Sequence, residues 1–149
     1  MRSTLYILNG PNLNLLGVRE PHLYGSTTLL QVEQLCRRVS GELNLDCEFR
    51  QTNHEGVLVD WVQESRERAA AVVINPAGLS FRSIPLLDAL KTLDQPIAEV
   101  HVTNIHRRDE IYQRSLVSLT ATGVICGFGP FGYELAIRAV AQQLAAVPN

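Results

Sequence analysis

Short apolar runs alternate along this chain with longer stretches whose apolar positions recur at helical spacing. Leu5-Tyr6-Ile7-Leu8 is a strand candidate stopped by Asn9-Gly10-Pro11, a turn signal that no helix continues through. Ser26-Thr27-Thr28 offers a helix N-cap, and Leu29, Val32, Cys36 and Val39, with Leu35 and Leu43, follow at helical spacing. Cys47 to Arg50 alternates like a strand. Val57, Leu58, Trp61 and Val62 form the apolar side of a second helix, with charge from Glu64 to Arg68 on its exposed side. Ala71-Val72-Val73-Ile74 is continuously apolar up to Asn75-Pro76, the pattern of a strand buried on both faces. Ser83, with Pro85 just inside, starts a helix carrying Leu86, Leu87 and Leu90. Ile97 to Val102 is a fourth strand, Gly123 to Phe128 a fifth, and Tyr133 to Val147 an alanine-rich last helix.

Strand units alternating with helices require a parallel sheet covered on both faces, because parallel strands need crossover connections. The prediction is an α/β fold: a flavodoxin-like, doubly wound five-stranded parallel sheet with helices on both faces. Its order is 2-1-3-4-5, opening a crevice between the ends of strands 1 and 3. With 149 residues and no repeat or linker, residues 1–149 read as a single domain. A net charge of −2 gives no general pull towards nucleic acid or an anionic membrane. No apolar run approaches the roughly 20 residues of a membrane span, and Met1 to Pro11 lacks the features of a signal peptide. Cys36, Cys47 and Cys126, odd in number and widely spaced, read as reduced, mostly buried thiols of a cytoplasmic protein.

Ligands of such sheets bind beyond the carboxyl ends of the strands, and here those ends are polar. Strand 1 leads into Asn9-Gly10-Pro11-Asn12-Leu13-Asn14, strand 3 ends at Asn75, and strand 4 carries Glu99 and His101. Turn chemistry accounts for each asparagine taken alone; their convergence at adjacent strand ends points to a small-molecule site. The Leu16–Thr27 connection exceeds the usual 2–6 or so residues and holds Arg19, Glu20, His22 and Tyr24, as a lid would. A guanidinium beside a phenol favours the phenolate, making Tyr24 a candidate base; an exposed loop tyrosine is the plainer account. Glu99 and His101, two apart, project from one face of their strand, either as a structural pair or as an oriented general acid. The histidines show no metal-ligand spacing. Gly127-Phe-Gly129-Pro-Phe-Gly132 matches a dinucleotide fingerprint in letter only. Pro130 removes an amide donor and no acidic ribose partner follows, so it reads as tight strand-to-helix packing.

These residues resemble the type II 3-dehydroquinate dehydratases over nearly the whole chain. The likeness rests on Ile7-Leu-Asn-Gly-Pro-Asn-Leu-Asn-Leu-Leu-Gly17, Arg19-Glu-Pro, Tyr24-Gly-Ser-Thr-Thr28 and Arg50-Gln-Thr-Asn-His-Glu-Gly56. Ile74-Asn-Pro76, Asp88-Ala-Leu90, Glu99-Val-His-Val-Thr-Asn-Ile-His106 and Gly132-Tyr133 extend it. The resemblance implies no cofactor and no metal, homo-oligomers (trimers assembling into dodecamers), and anti elimination of water from 3-dehydroquinate through an enolate. It makes Tyr24 the base, assisted by Arg19. Asn12 would hold the water that stabilises the enolate, and His101, oriented by Glu99, would be the acid. Asn75 and the backbone of Val102 and Thr103 would bind the carboxylate, Arg108 would join the surrounding basic group, and Asp88 would reach a neighbouring subunit's site.

Two positions depart from the family pattern. A histidine that meets the ring hydroxyls is Phe81 here, and an arginine that holds the C4/C5 diol is Tyr112. An unpartnered buried hydroxyl costs about 1–3 kcal/mol. Three readings follow: a 3-dehydroquinate dehydratase in which Arg82 or Arg114 replaces the lost contacts, a related dehydratase of a cyclic keto acid lacking the diol, or a non-catalytic ligand-binding homologue.

Overall fold

The computed structural model describes residues 2–146. In chain order its elements are β1 (Thr4–Asn9), α1 (Pro21–Tyr24), α2 (Leu29–Glu42), β2 (Asp46–Gln51), α3 (Glu55–Arg68) and β3 (Ala71–Asn75). They continue as α4 (Ile84–Leu90), β4 (Ile97–His101), β5 (Gly123–Cys126) and α5 (Phe131–Ala146). The five strands run parallel in the order β2-β1-β3-β4-β5, as the alternation predicts. The predicted lid is only partly a loop, since α1 is one helical turn within it. Strands 4 and 5 stop one and two residues short of expectation, at His101 and Cys126. Val147, the predicted end of the last helix, lies outside the described residues.

β1 and β3 are buried along almost their whole length, which explains their uninterrupted apolar text. Their alternate residues feed two cores. Leu5, Ile7 and Val73, with Val100 of β4, pack with Val32, Cys36 and Val39 of α2 and with Ala136, Ile137 and Val140 of α5. Tyr6, Leu8, Val72 and Ile74 pack with Leu58 and Val62 of α3 and Leu86 and Leu90 of α4 on the other face. α2 starts on a capping box, in which Thr28 and Gln31 each accept from the other's backbone N–H. Ser83 caps α4 by accepting from the Leu86 N–H at 3.0 Å. Of the three thiols, Cys36 is buried, whereas Cys47 and Cys126 are half-buried, more open than expected because both sit on the outer strands of the sheet.

The glycines after the first and last strands serve close packing. A Cβ on Gly10 would stand 2.4 Å from the Pro76 carbonyl oxygen, so the β1 and β3 exits touch backbone to backbone. Gly10→Ala therefore lowers stability by about 1–3 kcal/mol, readable as a lower denaturant midpoint at unchanged slope. Gly127, at φ +95°, would press a Cβ to 3.0 Å from that of Asn104, whereas a Cβ on Gly132 would meet Val100 at 3.5 Å, ordinary contact. Of the three glycines of this text only Gly127 makes the tight approach that the packing reading expects; Gly129, at φ +64°, has open space where a Cβ would stand.

Candidate active site

At the switch point β1 and β3 end in register, Asn9 opposite Asn75, and the Gly10 N–H donates to the Asn75 carbonyl at 2.9 Å. Behind them lies a buried network. The Tyr133 hydroxyl of α5 donates to Asn9 Oδ1 at 2.7 Å and accepts from Asn75 Nδ2 at 2.9 Å. Asn9 Nδ2 in turn donates to the Arg50 carbonyl, and Asn75 Oδ1 accepts the Ala77 N–H at 3.2 Å. Burial pushes the Tyr133 phenol well above its ordinary range, so it stays a neutral hydroxyl. Ala77 has φ +52°, a left-handed backbone that an L-residue adopts only under constraint. Asn12 is also left-handed, at φ 70°, and its N–H donates to Asn53 Oδ1 at 2.9 Å. Gln51 reaches both the Gly10 carbonyl and Asn53. The β2 exit thereby fixes the loop that presents Asn12.

A cavity of about 220 Å³ opens at this point. It is lined by Asn12 from the β1 loop, Arg19 and Tyr24 from the lid, Asn75, Phe81, and His101, Val102 and Thr103 at the end of β4, followed by Arg108 and Tyr112. Ten predicted site residues therefore meet in one pocket. The remaining two stand outside it for different reasons. Glu99 is fully buried behind His101, and Asp88 is exposed on α4. Arg82 and Arg114 are exposed and do not line the cavity, so neither replaces the arginine and histidine of the family pattern. Arg108 is the guanidinium that stands against Tyr112, with its Cζ 4.1 Å from the ring centroid.

The two ends of the pocket differ electrically. At one end Glu99 Oε2 bonds His101 Nε2, and Glu99 Oε1 accepts from the Ser118 hydroxyl at 2.6 Å. Burial on its own raises a carboxyl, but His101 and the hydroxyls of Ser115 and Ser118 outweigh it and hold Glu99 below the ordinary carboxylate range. The carboxylate is pinned at both oxygens, which fixes the imidazole and leaves Nδ1 as the nitrogen without a hydrogen-bond partner among the described residues. At the other end Arg19 and Arg108 lie over the Tyr24 ring, at 5.1 and 5.7 Å from its centroid. Arg19 also meets the exposed Glu20 at 3.3 Å. The cavity wall carries two guanidinium groups and no carboxylate, an environment suited to an anion. Among the described residues no cluster of His, Cys, Asp and Glu could hold a metal ion, and no helix is long and apolar enough to cross a membrane.

Sequence reasoning missed Ser118, Gln51, Asn53 and the bridging role of Tyr133. A serine or asparagine in a turn-rich segment carries no spacing signal, and these residues act through partners 19 to 124 positions away.

The family model for class II dehydroquinases matches residues 3–141. A 3-dehydroquinate dehydratase 1 of Agrobacterium fabrum is 51% identical over 140 residues, covering 94% of this chain and 97% of that protein. A 3-dehydroquinate dehydratase of Mesorhizobium japonicum is 49% identical, covering 95% and 99%. The crystal structure of a type II dehydroquinase from Propionibacterium acnes superposes with a TM-score of 0.92 at 42% identity, covering 95% of this chain and 98% of that one. With the match running through both cores and every wall of the pocket, this chain belongs to the class II dehydroquinase family.

Proposed function

We propose that this protein is a 3-dehydroquinate dehydratase, a hydro-lyase that eliminates water from 3-dehydroquinate to give 3-dehydroshikimate. The observation that carries this reading is the pairing in one cavity of a phenol flanked by guanidinium groups with an imidazole held by a buried carboxylate. The proton to be removed is α to a ketone, so the costly event is negative charge developing on the carbonyl oxygen. Tyr24 takes that proton, and Arg19 beside it favours the anionic side of the transfer. Asn12 holds the water that donates to the enolate oxygen, a preorganised donor of the kind worth several kcal/mol in oxyanion sites. His101, oriented by Glu99, gives its proton to the departing hydroxyl. Asn75 and the Val102–Thr103 backbone receive the carboxylate, and the surrounding charge of Arg108 draws the anion in. Base and acid come from separate elements, the lid and β4, and an anti elimination uses them from opposite faces of the ring.

Relatives at about half identity over nearly their full length bear this enzyme's name, which favours it over a diol-free substrate or a non-catalytic role. Asp88, exposed on α4 and away from its own pocket, supports the further reading that a neighbouring copy in a trimer, and in a dodecamer built of trimers, completes each site. A cytoplasmic, single-domain enzyme of the shikimate or quinate pathway is the corresponding setting. Purified protein mixed with 3-dehydroquinate is expected to produce the ultraviolet absorbance of a conjugated enone. A rate equal to the buffer blank would remove the assignment.

A further inference from the structure

From His101 to Arg19 the pocket wall is one series of ring–ring and guanidinium–ring contacts. The Phe81 and His101 rings lie 6.2 Å apart and nearly parallel, at 28°. Tyr112 meets Phe81 edge to face at 5.5 Å. The Arg108 guanidinium covers Tyr112 at 4.1 Å and reaches Tyr24 at 5.7 Å, and Arg19 closes the series over Tyr24 at 5.1 Å. Each contact lies within the range at which aromatic pairs and cations over rings attract. Phe81, Arg108, Tyr112 and Tyr24 are all half-buried, so these contacts are screened less than surface ones.

We propose that Phe81 and Tyr112, which stand where the family pattern has a histidine and an arginine, are positioning residues for the base. Tyr112, steadied by Phe81, holds Arg108 flat, and Arg108 holds the Tyr24 ring over the cavity. A polar pair at these positions would spend its hydrogen bonds on a ligand. The aromatic pair instead builds the wall before any ligand arrives, so the lid is docked in the free protein. The chemistry assigned to Tyr24 rests on the dehydratase reading, whereas the docking of the lid does not.

Hydrogen exchange of residues 19–25 in the substrate-free protein tests the docking, and steady-state kinetics test its consequence. Tyr112→Leu keeps an apolar side chain and removes the stacking face. It is expected to speed lid exchange about tenfold and to lower kcat about tenfold, with KM changing less. Tyr112→Phe restores the ring and should recover most of both losses. Phe81→Leu, which frees one edge of Tyr112, should shift exchange in the same direction by a smaller factor, and it serves as the second variant should Tyr112→Leu melt early. Wild-type exchange in both leucine variants would overturn the proposal. So would a rise in KM at constant kcat, or a Tyr112→Phe no better than Tyr112→Leu, since either makes the residue a direct ligand contact. Should 3-dehydroquinate prove not to be turned over, the exchange measurement still decides, and the dehydratase reading fails separately.

Discussion

Tyr24→Phe is expected to lower turnover of 3-dehydroquinate by a factor of about 10²–10⁴, the usual contribution of a positioned proton acceptor. The loss should fall on kcat. Arg19 and Arg108 contact the ring of Tyr24, and phenylalanine retains that ring. The Tyr24 hydroxyl makes no hydrogen bond to another described residue, so its removal leaves the fold without an orphaned partner. Melting temperature and lid exchange should therefore match the parent protein. Turnover within a few-fold of the parent would refute Tyr24 as the base. A large fall in melting temperature would show the hydroxyl to be structural.

Glu99→Ala has the largest expected effect on stability. Its carboxylate is fully buried and engaged at both oxygens by His101 and Ser118. Removing one partner of a buried pair commonly costs about 3–5 kcal/mol. At the lower end of that range, about 3 kcal/mol, the loss is roughly 6–12 °C in melting temperature for a chain of this size. The imidazole also loses its orientation, so activity should fall by at least about a hundredfold. The pH dependence has a definite sign. The Glu99 carboxyl sits below its ordinary value of 4.5 in the folded state, so the unfolded chain takes up protons first as the solution is acidified. Its contribution is complete above about pH 4.5 and is lost as pH falls through the lower folded value. Glu99→Gln, which keeps the shape, should flatten that acid limb of the stability curve. An unchanged acid limb would show that another carboxylate sets it.

The sheet was legible because its order follows from two local signals: four-residue apolar runs such as Ala71–Ile74, and helical spacing between them. The placement of side chains at its edge was legible wherever a residue's own position in the strand could declare it. Asn75 at a strand end and Glu99 two residues before His101 are of that kind, since alternation places the pair on one face. The hidden part was everything decided by distant partners. No spacing rule connects Ser118 to Glu99 or Asn53 to Asn12, and a lone tyrosine at the start of the last helix gives no sign that it will bridge two strand ends. Arg108 was legible as charge but not as a stacked side chain, because stacking on Tyr112 and Tyr24 depends on a lid conformation that sequence does not encode locally. Arg82 and Arg114 failed as substitutes for the same reason: charge is visible in a sequence, direction is not.

The Tyr133 bridge also orders events in time. Its hydroxyl, 124 positions from Asn9 and 58 from Asn75 in sequence, joins the two strand-end side chains, so this bridge is not complete until the last helix has docked. On the ribosome the bridge cannot form until residue 133 has left the exit tunnel, and α5 brings Ala136, Ile137 and Val140 into the core under β1 and β3 in the same step. Contacts of such long sequence separation also slow folding. A chain stalled before that point carries both strand-end asparagines but not the hydroxyl that joins them.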